Sequence, residues 1–441
     1  MSKDSFPKHY LPPQSDSSRC ARRTIHLALV LALLVGYYVY QSPPTLKPLY
    51  SKLEAFQQCS IDNLLGTGLY FLDSASPVAV ADFQERRDRL ANALVADGVD
   101  AFVVEPGYTF KYYANVSQQE WEPWEPEERP FLMIVQPLQD QDSGQITANT
   151  SFLCPSFEAE RARLLDMPFP YPIQIIPWEE HWDPYATLME SQAVPGRTHS
   201  PILMVDEEMR DFIQRGLGSA GFDIVGLSGH AEQARQVKSE KEVGILRAVN
   251  TGTVEAVRQV RKCLYPGLLE SEIADVLDNT MRAVGLEPFF DLVFFDENAA
   301  NPHGGTNGTT VLEPETLVLI DVGSVWDVVF EAQTQSIHQM RENSTAASVD
   351  IAAREVIDNA GYGDTFTHRL GHGIGIKAHE SPYLNKGNFK SLLKAGMTFT
   401  SEPGVYLIGR FGVRHEDVLL VQEDADPILL TGARAGGPWD P

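Results

Sequence analysis

The last third of the chain carries three glycine- and proline-punctuated blocks: FTHRLGHGIGIKAHESPYL (366–384), GMTFTSEPGVYL (396–407) and GVRHEDVLLV (412–421). Histidines and carboxylates are set into β-type runs, so the fold must lay these runs side by side to use them together. His368 and His372 stand four residues apart with glycines on both sides of His372, and His379 follows beside Glu380. Glu402 and Glu416 sit on the two terminal β runs, and Asp321 ends a buried-strand pattern, TLVLIDVG (316–323). Carboxylates with one imidazole form a mixed oxygen and nitrogen donor set, which suits Mn²⁺, Zn²⁺, Co²⁺ or Fe²⁺ rather than Cu⁺. Carboxylates can also bridge two ions, as hydrolytic two-metal centres require. The glycines admit close backbone approach to an ion. Any one of these residues taken alone reads as structural; the combination and its order carry the signal.

The N-terminus is a different material. Residues 1–23 hold five basic side chains against Asp4 and Asp16, and Thr24 to Tyr40 then runs without a formal charge. Seventeen residues at about 1.5 Å rise reach roughly 25 Å, the short end of a bilayer span. No small-x-small cleavage site follows, as a signal peptide needs, and the basic flank argues against a buried core helix. The reading is an uncleaved single-pass signal anchor over 24–41, with tail 1–23 cytoplasmic and the remainder lumenal or extracellular. Asn115, Asn149, Asn307 and Asn343 lie in Asn-x-Ser/Thr sequons, which agrees with that side of the membrane. The net charge of -25 excludes nucleic acid as a natural partner. Four scattered cysteines give neither a disulfide scaffold nor a zinc finger.

Residues 42–77 read as a Pro-led stalk. From 78 to 232 a helix pattern at Phe83 to Asp97 alternates with the buried strands AFVVEP, FLMIVQP and PILMV, an α/β unit. This domain offers no metal ligands and is expected to shape substrate access and homodimerisation. EWEPWEPEERP (120–130) reads as a surface loop. The second domain, 233–441, opens with a long helix over Gln236 to Cys263, for which Ser239 and Glu242 make a capping box, and a second helix over Leu268 to Val284 after Ser271.

In their order, the three blocks resemble those of the creatinase/methionine-aminopeptidase superfamily, peptidase family M24 with the pita-bread fold. The likeness is greatest to its Xaa-Pro aminopeptidase and prolidase branch and covers roughly residues 78–441; NPHGG (301–305) resembles the upstream histidine block. The resemblance implies an α+β architecture: a pita-bread peptidase domain preceded by a creatinase-type α/β domain. It implies a divalent cofactor, Mn²⁺ before Zn²⁺, Co²⁺ or Fe²⁺, and a peptide substrate with proline in the second position. Asp321, His372, Glu402 and Glu416 match metal ligands, and Glu402 also handles the proton of the attacking water. His303 and His379 match histidines that contact substrate and steady the tetrahedral intermediate. Arg414 matches an arginine beside the site.

One ligand of the family pattern is missing. A second aspartate, on a strand that follows the Asp-x-Gly strand across a hairpin, bridges both ions in the family. Here TLVLIDVG runs directly into VWDVVFEAQTQSIHQM, which reads as a helix with Val325, Val329, Ala332 and Met340 on one face. Asp327 and Glu331 are the nearest acids, and their spacing reads as a solvated helical face. The centre is therefore expected to hold at most one ion, chiefly through His372, Glu402 and Glu416. Two functions follow: a membrane-anchored Xaa-Pro exopeptidase of reduced activity, or a non-catalytic relative that binds peptides or partners in the same cleft.

Overall fold

The computed structural model describes residues 51–121, 130–196, 200–289, 291–316 and 323–437. The expected membrane span, most of the acidic-aromatic loop, and residues 317–322 with Asp321 lie outside the described residues. Among the described residues no helix is long and apolar enough to cross a membrane. The chain divides into two units, Met1–Ala55 and Phe56–Pro441.

The linker expected over 42–77 is instead structured from Lys52 onward, with a helix Lys52–Leu65 and a 3-10 turn Tyr70–Ser74. Phe56, Leu64 and Phe71 are buried, and Leu64 and Phe71 pack with Ala256 and Met281. A disulfide joins Cys59 to Cys263. A stalk needs a polar, unpacked surface; the apolar side chains here are removed from water at about 25 cal/mol per Å² buried, which holds the segment down.

Six strands form the first lobe's sheet: β1 (Ala101–Val104), β2 (Leu132–Gln139), β3 (Ile146–Pro155), β4 (Gln174–Trp178), β5 (Ile202–Val205) and β6 (Asp223–Gly226). Their order is β4-β3-β2-β1-β5-β6, with parallel and antiparallel neighbours mixed. The three strands read from the sequence are β1, β2 and β5, and the helix Val80–Asp97 buries Phe83, Leu90, Ala91 and Leu94 as its periodicity required. The lobe reaches further than 232. The helix Gly229–Gln236 is held to Asp97, whose carboxylate accepts from the backbone N–H groups of His230 at 3.0 Å and Ala231 at 2.9 Å.

The second lobe opens with the helix Glu240–Arg261, where Ser239 and Glu242 form the expected capping box. The next helix, Glu270–Arg282, starts later than the pattern implied, because Leu269 pairs as an isolated bridge with Val311 and keeps that residue extended. Further on, a five-stranded sheet runs β13-β12-β9-β7-β8, formed by β7 (Gly371–Gly373), β8 (Glu380–Leu384), β9 (Thr398–Ser401), β12 (Asp417–Leu420) and β13 (Ile428–Leu429). β10 (Gly404–Leu407) and β11 (Phe411–Arg414) pair as a separate hairpin. GMTFTSEPGVYL is thus two strands, not one. Pro403, which has no N–H for a ladder, separates β9 from β10 just after Glu402.

The helix Gly323–Gln339 begins two residues past Asp321, so only Val322 separates that aspartate from the helix. No chain is left there for a hairpin and second aspartate. Val325, Val329, Ala332 and Met340 are buried as expected. The helix is also stitched to β9: the Gln333 side-chain amide donates to the Ser401 carbonyl at 3.1 Å, and the Ser336 and Ser401 hydroxyls lie 2.7 Å apart. Asp327 and Glu331 are exposed, with Glu331 accepting from Gln335 at 2.6 Å, as a solvated helical face requires.

Candidate metal centre

His372 stands on β7, between β8 and β9. Its backbone N–H donates to the Thr400 hydroxyl at 3.0 Å, and its Nδ1 donates to the Gly373 carbonyl at 3.0 Å. That bond fixes the ring and leaves Nε2 facing Glu402, whose Oε1 is 3.1 Å away. The glycine before it answers a packing need that the sequence did not show: a Cβ on Gly371 would stand 2.1 Å from the Thr400 carbonyl oxygen. The neighbouring strand, rather than an ion, forbids a side chain there.

Glu402 follows β9. Its N–H donates to the Leu370 carbonyl at 2.8 Å, and the Thr400 hydroxyl donates to its carboxylate at 3.1 Å. Burial pushes the Glu402 carboxyl upward, but the hydrogen bond from His372 and the nearby Arg414 guanidinium outweigh it and hold the group below the usual glutamate range. β12 runs antiparallel to β9 with Asp417 opposite Ser401, so Glu416, one residue earlier, faces Glu402. Solvent reaches 43% of the Glu416 side chain. Burial and the Glu402 charge together push its carboxyl up to about 7.

Three more imidazoles line this cleft. The His379 ring lies 4.3 Å from the His372 ring, and the His303 ring 6.2 Å from the His368 ring. Burial lowers the pKa of both His368 and His379, which favours their neutral forms. His368 Nδ1 donates to the Arg369 carbonyl at 2.6 Å, so Nε2 accepts from the Tyr406 hydroxyl at 2.9 Å. Arg414 donates to the Pro302 carbonyl at 3.2 Å and lies 3.7 Å from Glu416, so it braces the loop that carries His303. His368 and Tyr406 received no role from the sequence. The signal for His368 was its place in the same block as His372; Tyr406 gave none, because its partner is distant along the chain.

Of the seven residues read as the site, His303, His372, His379, Glu402, Arg414 and Glu416 share this neighbourhood, and Asp321 lies outside the described residues. Among the described residues no three His, Cys, Asp or Glu side chains approach closely enough to hold an ion. Two donors stand together there, His372 Nε2 and the Glu402 carboxylate at 3.1 Å, with Glu416 across from Glu402.

A family profile described as "Metallopeptidase family M24" matches residues 244–327 and 324–423, two segments that overlap at 324–327. An uncharacterized peptidase of Schizosaccharomyces pombe is 34% identical over 453 residues, covering 96% of each chain. A dipeptidase of Mycobacterium ulcerans superposes with a TM-score of 0.67 at 25% identity, over 81% of this chain and 98% of its own. An Xaa-Pro dipeptidase of Bacillus anthracis superposes at 0.64 and 22% identity, over 80% and 98%, which shows the shared pita-bread fold.

Proposed function

Because the chain belongs to metallopeptidase family M24, we propose that it is an exopeptidase of the Xaa-Pro aminopeptidase and prolidase type whose metal centre is one carboxylate short. The carrying observation is the His372–Glu402 pair at 3.1 Å with Glu416 across from it and three further imidazoles around the cleft. The family depends on divalent metal; here His372, Glu402 and Glu416 would hold a single ion, Mn²⁺ by preference. Once bound, such an ion supplies a Lewis acid and lowers the pKa of water.

The chain's own residues do the rest. Glu402, ionised in its pocket, is the group that takes up a proton and passes it to the leaving amine. His303 and His379, on facing loops, hydrogen-bond the substrate carbonyl as it gains negative charge. Arg414 keeps the His303 loop in register. The substrate class is a short peptide with proline in the second position, and the first lobe shapes access and homodimerisation.

The second reading, a peptide-binding relative without turnover, is favoured by one observation: the helix starts at Gly323 and leaves no room for the bridging aspartate. One experiment separates the two. Metal content of the purified full chain is measured beside hydrolysis of an Xaa-Pro tripeptide. One ion with weak turnover supports the exopeptidase; no ion and no turnover, with peptide still bound, supports the binding module.

The proposed placement is a single-pass anchor with the catalytic lobes lumenal or extracellular. The Cys59–Cys263 disulfide supports it, since such bonds persist in oxidising compartments. In intact microsomes, added protease is expected to leave the C-terminal part whole; its digestion would refute the orientation.

A further inference from the structure

We propose that Asn307 carries an N-linked oligosaccharide in the loop that carries His303; this rests on the lumenal placement above. Four sequons occur, and their settings differ. Asn149 is half-buried in β3, paired across the sheet with Gln136. Asn115 ends the helix Tyr108–Ala114, lines a crevice of about 390 Å³ between the lobes, and precedes the buried Val116. The Asn343 N–H is bound to the Leu393 carbonyl, and Thr345 of that sequon caps the helix Ala346–Asn359.

Asn307 and Thr309 are both exposed, and the sequon is folded on itself: the Thr309 hydroxyl donates to Asn307 Oδ1 at 2.7 Å and the Thr309 N–H at 3.2 Å. Gly308 makes the turn at φ +68°, where a Cβ would press on the Ser271 Cβ at 3.1 Å. The turn is strapped to the helix Glu270–Arg282. Ser271 N–H donates to the Gly308 carbonyl at 3.0 Å, and Glu270 N–H to the Thr310 carbonyl at 3.1 Å. The acceptor amide and the hydroxyl that a transferase reads are therefore presented together on a fixed, solvent-facing turn, in the loop that also carries His303.

The reaction takes a polyisoprenyl-diphosphate-linked oligosaccharide as donor. The bond from sugar C1 to the diphosphate oxygen breaks, C1 bonds to Asn307 Nδ2, the amide gives up one proton, and the lipid diphosphate leaves with the electron pair.

The test is translation of the full chain with endoplasmic-reticulum microsomes, followed by protease protection, peptide-N-glycosidase digestion and peptide mass mapping. Asn307→Gln and Thr309→Ala are each expected to remove one glycan from the protected chain, Thr309→Ser to retain it, and the digestion to convert residue 307 to aspartate. A non-reducing gel showing the Cys59–Cys263 bond checks folding. A protected chain in which Asn307→Gln migrates with the parent overturns this proposal and leaves the placement standing. A chain that is neither protected nor modified overturns the placement, and this proposal with it.

Discussion

The loop that carries His379 is held by one buried ion pair, and breaking that pair tests how the cleft is built. Lys238 Nζ lies 2.9 Å from Glu380 Oε2, with both side chains only 5% exposed. Lys238 also donates to the Arg235 carbonyl at 2.7 Å, and Glu380 Oε1 accepts from the Lys377 N–H at 3.2 Å. Lys238→Met leaves the Glu380 carboxylate in place without its cation. Removing one partner of a buried pair costs about 3–5 kcal/mol, because the remaining charge stays desolvated. Lys238→Met/Glu380→Leu removes both charges and leaves chiefly the Lys377 N–H unpaired, at about 1–3 kcal/mol. The double variant is therefore expected to be more stable than Lys238→Met, a coupling far from additive. Urea denaturation gives the midpoints, with an unchanged slope confirming that stability and not compactness changed. Hydrogen exchange at the Lys377 amide reports the loop itself and is expected to speed up in both variants. If Lys238→Met lies within 1 kcal/mol of the parent, or the double variant loses the sum of the singles, the pair does not hold the loop.

Metal analysis of the chain as it stands is expected to find at most one Mn²⁺ or Co²⁺, lost in His372→Ala; two ions per chain would show that another acid fills the missing position. Inserting a hairpin that carries an aspartate after Gly323 is expected to raise both stoichiometry and Xaa-Pro hydrolysis. Cys59→Ser is expected to cost about 2–5 kcal/mol, as loss of a long-range disulfide does, with urea midpoints as the readout. Asp97 gives a pH dependence. Burial raises its carboxyl, but bonds from the His230 and Ala231 N–H groups and the His230 ring outweigh that and lower its pKa. A lowered acid binds fewer protons folded than unfolded, so its stabilisation is present above the ordinary aspartate value of 3.8 and fades as pH falls through the lower folded value. Asp97→Asn is expected to flatten that acid limb of the stability curve; an unchanged limb would place the acid sensitivity elsewhere.

Local pattern was enough for much of this molecule. The capping box at Ser239 and Glu242, the apolar faces of Val80–Asp97 and Gly323–Gln339, and the strands β1, β2 and β5 depend on neighbours within a few residues, and the sequence displays those directly. The helix pattern that follows Gly323 was also legible, since its apolar spacing lies within one element. Other features are decided by which distant segments meet, and no spacing encodes that. Cys59 and Cys263 are separated by 204 residues, and their bond joins the helix Lys52–Leu65 to the second lobe. Glu416 faces Glu402 only because Pro403 ends β9 and the chain returns through the β10–β11 hairpin before β12 pairs back onto β9. The Tyr406 bond to His368, the Arg414 brace on the His303 loop and the Lys238–Glu380 pair all arise the same way. Residue chemistry named the ligand types; sheet register and the packing of distant segments of the second lobe decided which of them meet.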